Sequence, residues 1–278
     1  MQPIEILELF GGIGACTKAF KRLGIPYHIA DYVEIDKYAV ASYNAINDTN
    51  FKPQDICTWD KDIKVDLIMH GSPCQSFSLA GKQEGGDKGS GTRSSLMWET
   101  VRIVEKLKPK YVVWENVKNV ISKKHKHNFD NYINSLNELG YTSYYQVLNA
   151  KDYGLPQNRE RVFVISILGE HKPYVFPPKQ ELKLKLKDLL EDEVDDKYYL
   201  ATDIVNQIMY DDSTDNNLHI KNATKKGYLE AVEGDSINLA YPTSKTRRGR
   251  VGKQVSQTLQ TTNNIGVVVN DNSRTSYK

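Results

Sequence analysis

The sequence predicts an α/β fold built on a doubly wound, mostly parallel sheet with a smaller second region, and three observations carry that prediction. Through about residue 170, short apolar runs rich in β-branched and aromatic residues alternate with longer stretches of helical spacing. The helical stretches end at Gly or Pro, residues that stop helices and turn the chain back toward the next strand. After "VFPPK" the character changes to longer polar stretches, with few convincing helices past residue 210. The expected boundary lies near residue 180, giving units of residues 1–180 and 181–278.

In chain order, the strands are "IEILELF", "YHIADYVEI", "VDLIMHG", "KYVVWENV" and "RVFVISIL". The helices between them are "GACTKAFKRLG", "DKYAVASYNAIN", "SLMWETVRIVEKLKP" and "NFDNYINSLNELG". Near the end, "SQTLQTTNNIGVVVN" reads as strand material. In open sheets of this kind ligands gather beyond the carboxyl ends of the strands, so the loops after the strands are where chemistry is expected.

Composition narrows the function classes. A chain of 278 residues can bury a proper core without disulfides or metal. Its 39% hydrophobic and 26% charged residues are ordinary for a soluble protein, and no apolar run approaches the ~18 residues that cross a bilayer. The start, "MQPIEILELF", carries Glu5 and Glu8 and reads as a strand rather than a signal peptide, so a cytoplasmic protein without a membrane partner is expected. Cys16, Cys57 and Cys74 are odd in number and widely spaced, which argues against a disulfide framework and against a metal site. The net charge of +2 is too small to imply a polyanion, but charge is uneven. "KLKDLLEDEVDD" is acidic, whereas "SKTRRGRVGK" gathers Lys245, Arg247, Arg248, Arg250 and Lys253. On charge alone, a solvated loop and a phosphate-binding segment stand as equal readings of that run.

Four constellations carry chemistry. In "LELFGGIGACTKAF" a strand runs through glycines into a helix, and Gly12 and Gly14 let backbone approach a ligand closely. The third glycine of a dinucleotide fingerprint is replaced by Thr17, which points away from nicotinamide or flavin and leaves another adenosine-containing ligand open. Glu34, about 20 residues on at the end of the next strand, suits ribose hydroxyls; an exposed strand-end acid is the alternative. In "HGSPCQSFSLAG", Cys74 stands at the root of a polar loop after a strand, where a thiol can act as a covalent nucleophile or be merely buried and inert. In "YVVWENVKNV", Glu115 emerges at the same edge as a candidate general acid, or as a helix cap. In "GLPQNRERVF", Arg159 and Arg161 alternate at strand spacing and are expected to share a face, where paired arginines bind carbonyl oxygens or phosphates.

Taken in this order, "LFGGIG", "EID", "GSPCQSFSLAG", "WENV" and "QNRERVF" make residues 4 to about 168 resemble a DNA cytosine carbon-5 methyltransferase of the bacterial or phage type. The resemblance implies a Rossmann-like catalytic domain that binds S-adenosyl-L-methionine and releases S-adenosyl-L-homocysteine. It implies cofactor contacts from Phe10, Gly12, Gly14, Glu34, Ile35, Asp55, Ile56, Pro73 and Leu96. It makes Cys74 the nucleophile that adds to carbon 6 of a flipped cytosine, with Glu115 acting at ring nitrogen 3. Arg161 would polarise the ring carbonyl oxygen, and Arg159 would steady the Cys74 loop or the DNA backbone. The glycine-rich stretch from Gly81 to Gly91 becomes a lid over double-stranded DNA.

The same resemblance turns residues 181–278 into a target-recognition region. Gln75, Ser78, Arg247, Arg248, Arg250 and Thr258 are then the expected DNA contacts. Family members continue beyond a segment like "SQTLQTTNNIGVVV" into closing motifs, and nothing after Val269 resembles them. A second polypeptide carrying those motifs is therefore one expected partner, and a cognate restriction endonuclease another. Two alternatives accompany this reading, a transfer-RNA cytosine methyltransferase and a non-catalytic DNA-binding remnant. An amino-methylating enzyme is disfavoured, because no Pro-Pro-aromatic motif stands where Pro73 and Cys74 do.

Overall fold

The computed structural model describes residues 2–75, 77, 85–210, 218–259, 262 and 264–269. They form two compact units, Met1–Leu148 with Glu160–Phe176, and Asn149–Arg159 with Pro177–Lys278.

The first unit runs β1 (Ile4–Leu9), α1 (Ala15–Leu23), β2 (Tyr27–Val33), α2 (Lys37–Asn47), β3 (Leu67–His70), α3 (Met97–Leu107), β4 (Tyr111–Val117), α4 (Lys126–Glu138) and β5 (Tyr141–Asn149). The short β6 (Gln157–Asn158) belongs to the second unit, and β7 (Glu160–Leu168) returns to the first. The sheet order is β2-β1-β3-β4-β7-β5. β2, β1, β3 and β4 are parallel neighbours, and β7 lies antiparallel to β4. All four expected helices and all five expected strands of this region are present. The unexpected strand is β5, whose "YTSYYQVLN" mixes polar and aromatic residues and lies at the edge of the sheet, half exposed.

Strand alternation assigns the two faces. Leu7 and Leu9 of β1 enter the main core with Ile103 and Val104 of α3 and Phe129, Tyr132 and Leu136 of α4. Glu8, pointing the other way, meets Thr17 of α1 and Tyr43 of α2. Helices thus cover both faces, as a parallel sheet requires. Three of these helices stop at a left-handed residue: α1 at Gly24 (φ 64°), α2 at Asp48 (φ 54°), and α3 at Lys108 (φ 46°), followed by Pro109.

At the sheet centre, His70 stacks on Trp114, and its Nε2 pairs with the Tyr132 hydroxyl at 2.8 Å. Burial pulls the His70 pKa from 6.5 down to about 3. Between those values the unfolded chain binds a proton that the folded chain refuses, so stability is full above pH 6.5 and falls as pH drops toward 3. The expected slope is about 1.4 kcal/mol per pH unit in that window. Urea unfolding across it measures the slope, and His70→Gln, which cannot titrate, is expected to remove this component.

The second unit adds α5 (Thr202–Ile208), β8 (Leu218–Lys221), β9 (Tyr228–Ala231), β10 (Ser236–Asn238), β11 (Val251–Gly252), β12 (Ser256–Gln257) and β13 (Ile265–Val267). β8 and β9 form a hairpin, β11-β10-β13 a three-stranded sheet, and β6 pairs with β12. Ile208, Ile220, Ala231 and Ile237 make its core. Among the described residues, no helix is long and apolar enough to cross a membrane.

Candidate active site

Strand register brings the sequence motifs to one edge. Leu9 is level with Val33 on one side and with His70 on the other, and His70 is level with Trp114. The residues that leave these strands, Phe10, Glu34 and Gly71, therefore lie along the carboxyl edge with Glu115 beside them. Because β7 runs antiparallel, its start reaches the same edge, and Arg161 lies opposite Val117.

The loop after β1 is built for close approach. Phe10 has φ 53°, a left-handed conformation that costs a large side chain about 1–3 kcal/mol, and its N–H is held by the Val33 carbonyl at 2.7 Å. A Cβ on Gly11 would stand 2.5 Å from the Tyr32 ring, whereas one on Gly12 (φ 53°) would meet nothing within 4 Å. Gly11 is thus required for packing, and Gly12 faces open space. The Glu34 carboxylate accepts from the N–H groups of Gly12 (3.2 Å) and Asp36 (3.0 Å), tying the ends of β1 and β2 together. The Glu34 carbonyl accepts from Gln54 N–H at 2.8 Å, which delivers Asp55 and Ile56 to the same place.

That delivery depends on Asp31. Its buried carboxylate accepts from Gln54 (2.9 Å) and Trp59 (2.7 Å) and pairs with Lys61 (2.8 Å). Burial alone would raise the Asp31 pKa, but the bonds from Lys61, Trp59 and Gln54 outweigh it and hold the group below its ordinary value. Ile35 and Asp55 are exposed, while Ile56 is a core residue at 4% exposure, with its carbonyl held by Arg102. Leu96 ends the 3₁₀ turn before α3 and packs on the main core with Phe10.

Cys74 and Pro73 are half-buried in the loop after β3, and Gln75 is exposed. Two residues before the thiol, Ser72 is buried and clamped from β4. Its Oγ accepts from Trp114 Nε1 at 3.0 Å, and its carbonyl accepts from Asn116 Nδ2 at 3.1 Å. Beyond the thiol, the Phe77 N–H donates to the Cys74 carbonyl at 2.9 Å, and the Phe77 ring is fully buried in the core. Cys74 is thus held between two anchors. Arg93 donates to Gln75 Oε1 at 3.2 Å. Ser78, and residues 81–84 of the expected lid, lie outside the described residues.

Glu115 and Arg161 form an ion pair, Oε1 to Nε 3.0 Å, in a half-buried setting. The Glu115 Oε2 lies 3.6 Å from where a Cβ on Gly71 would be, so the carboxylate sits against the root of the Cys74 loop. The expectation that Arg159 and Arg161 alternate along one strand needs correction. β7 begins at Glu160, and Arg159 lies in the break before it with its N–H on Asn149 Oδ1 (3.0 Å), in the second unit.

The basic segment also divides. Arg248 is exposed and Arg247 half-buried, but Arg250 is fully buried. Its guanidinium donates to the carbonyls of Asn238, Ala240, Tyr241 and Pro242. The expected DNA contact from Arg250 is therefore withdrawn: a side chain with no exposed surface, whose two terminal nitrogens donate to four carbonyls, is a scaffold for the loop. Thr258 Oγ1 donates to the Asn158 carbonyl at 2.9 Å and braces the β6–β12 pair.

Two groups of residues escaped the sequence reading. Ser72, Trp114 and Asn116 clamp the Cys74 loop, as described above. Under the glycine loop, Thr17 donates to Glu8 (2.7 Å), Tyr43 donates to the same oxygen (3.2 Å), and Tyr32 donates to the Gly12 carbonyl (2.6 Å). Burial raises the Glu8 pKa, with the Thr17 and Tyr43 bonds opposing it. The available signal was Thr17 itself: a polar residue at a glycine position needs a partner, and an acid in the preceding strand supplies one.

The chain matches the C-5 cytosine-specific DNA methylase family model over residues 4–276. It is 36% identical over 257 residues to a type II methyltransferase, M2.ScrFI, of Lactococcus lactis subsp. cremoris, covering 73% of this chain and 71% of that one. It is 34% identical over 248 residues to an orphan methyltransferase, M.SPRI, of Bacillus phage SPR, covering 77% of this chain and 56% of that protein. Among solved structures, a mutant DNMT2 of Spodoptera frugiperda superposes with a TM-score of 0.62 at 23% identity, covering 74% of this chain and 66% of that one, a likeness of fold. The chain spans only about half to seven-tenths of the curated relatives it matches. With its glycine loop, its Cys74 loop and its Glu115–Arg161 pair on one sheet edge, the chain belongs to the C-5 cytosine-specific DNA methylase family.

Proposed function

We propose that this chain transfers a methyl group from S-adenosyl-L-methionine to carbon 5 of a flipped cytosine in a specific duplex DNA sequence. The observation that carries the proposal is the clamped Cys74 loop lying against the Glu115–Arg161 pair.

The residues at the end of β1 and β2 fit the cofactor. Gly12 faces open space, Glu34 keeps carboxylate lone pairs beside it for ribose hydroxyls, and exposed Ile35 and Asp55 offer apolar and polar contacts to adenine. Phe10, Gly14, Pro73, Ile56 and Leu96 complete the set. When bound, the cofactor supplies an electrophilic methyl group and leaves as S-adenosyl-L-homocysteine.

The chain's own residues do the rest. Carbon 5 of cytosine is a poor nucleophile, so the Cys74 thiolate adds to carbon 6 and pushes an electron pair into the ring. Charge then develops at nitrogen 3, where Glu115, having first taken up a proton from solvent, donates it, and Arg161 orients Glu115 while polarising the ring carbonyl oxygen. After methylation a solvent water takes the carbon-5 proton, the freed electron pair re-forms the ring double bond and expels the Cys74 sulfur as thiolate, and nitrogen 3 returns its proton to Glu115, so no oxidant or reductant is needed. A stacked base hides carbon 6, and flipping it costs a few kcal/mol that the protein must recover from DNA contacts. Gln75 of the first unit and Arg159, Arg247, Arg248 and Thr258 of the second supply those contacts. A cognate restriction endonuclease is the matching partner in a type II setting.

Bisulfite sequencing of DNA from cells expressing the chain is expected to reveal 5-methylcytosine at one short recurring sequence. Methylation of transfer RNA with none in DNA would overturn the DNA assignment.

A further inference from the structure

We infer that Lys225 and Lys226, at the tip of the β8–β9 hairpin, bind the phosphate backbone of duplex DNA together with Lys245 and Arg248. The inference rests on reading the second unit as the DNA-binding part of the chain. It adds a segment that neither the sequence motifs nor the basic run "SKTRRGRVGK" marks.

The hairpin tip is a tight, rigid turn. Gly227 N–H donates to the Thr224 carbonyl (3.0 Å) and Asn222 N–H to the Gly227 carbonyl (2.8 Å), so Lys225 and Lys226 are its two central residues. Gly227 takes φ 81°, a left-handed conformation suited to glycine, and a Cβ there would stand 2.9 Å from the Tyr210 ring. Both lysines are exposed, and the Lys226 ammonium lies 5.6 Å over the Tyr228 ring.

The turn is bonded to the basic loop, although about 20 residues separate them in sequence. Ala223 N–H donates to the Arg247 carbonyl at 2.8 Å, and Arg248 Nε donates to the Ala223 carbonyl at 3.1 Å. Buried Arg250 fixes the other side of that loop through its carbonyls and sets its own N–H on Asn222 Oδ1 at 3.4 Å. Two cationic loops therefore form one surface on one scaffold.

The two segments themselves are free of acids. Residues 221–229 and 239–250 contain no Asp or Glu. Nearby Lys221 is committed to the Gln207 carbonyl, and Lys253 to Asp235 and the Glu230 carbonyl. Among the described residues, Lys225, Lys226, Lys245 and Arg248 take part in no ion pair. Exposed cations presented on hydrogen-bonded loops, with no acid paired to them among the described residues, suit a polyanion, whose condensed counterions they release on binding.

The test is binding of the full chain to duplex DNA across a salt series. Each lost phosphate contact lowers the slope of log K against log [salt] by ~0.9. Lys225→Ala/Lys226→Ala is therefore expected to lower it by about two, with affinity at ~0.1 M salt down about eightfold per lysine and equally for target and non-target duplexes. Lys225→Gln/Lys226→Gln is expected to behave alike, and Lys225→Arg/Lys226→Arg to keep the parent slope. An unchanged slope in both neutral variants, while Arg247→Ala/Arg248→Ala lowers it, overturns the inference and leaves the DNA-binding second unit standing. No change in any of these variants overturns both. A loss confined to RNA overturns the duplex assignment.

Discussion

Replacing Cys74 by Ser is expected to reduce methyl transfer to duplex DNA by roughly 10³-fold or more, because the proposed covalent step is removed and a hydroxyl is a far weaker nucleophile at neutral pH. DNA carrying 5-fluorocytosine, which cannot lose its carbon-5 substituent as a proton, should trap the parent chain as a covalent adduct and leave the Ser variant untrapped. The Cys74 loop is held by its backbone and by Ser72, Asn116 and Phe77, none of which needs the sulfur. Cofactor binding should therefore survive the substitution. Equal turnover by the Ser variant would make the thiol a bystander and favour a DNA-binding protein without covalent chemistry.

The second large effect is expected from Glu115→Gln. General acid catalysis by a positioned carboxyl contributes about 10²–10⁴-fold, and Gln keeps the size of the side chain while losing its transferable proton. Arg161 then faces a neutral amide in place of the carboxylate 3.0 Å away, so some of the loss comes from a misplaced guanidinium. The readout that isolates chemistry is single-turnover methylation at saturating DNA and cofactor, with binding of both measured in parallel. A variant that binds both and turns over at the parent rate would remove Glu115 from the reaction. Arg161→Lys retains the charge but loses the planar fork, and should fall between the parent and Glu115→Gln.

How much of this was legible follows from the range of each interaction. The Rossmann-like frame was legible because a strand or helix declares itself within about a dozen residues: "IEILELF" and "KYVVWENV" became β1 and β4, and "NFDNYINSLNELG" became α4. In the second unit "SQTLQTTNNIGVVVN" holds β12 and β13, but the other strands were not legible, since runs of two to four residues such as Val251–Gly252 are too short to show a period. β5 was missed for a related reason: an edge strand with polar and aromatic residues shows neither alternation nor an apolar run.

At the site, the sequence by itself marked the candidate reacting groups and the places where backbone must come close. Cys74, Glu115, Arg161, Gly12 and Glu34 each stand in a local pattern whose chemistry can be argued from neighbours. Only the tertiary structure decided what holds them. The Ser72–Asn116 clamp joins residues 44 apart, and it exists because β3 and β4 lie side by side in register. The Glu115–Arg161 pair exists because β7 runs against β4. Arg250 and Arg248, two residues apart in one basic run, have opposite fates, since burial depends on which carbonyls the fold brings near. A residue's chemistry is local, but its partners are chosen by contacts between distant segments, and those are fixed only when the chain closes on itself.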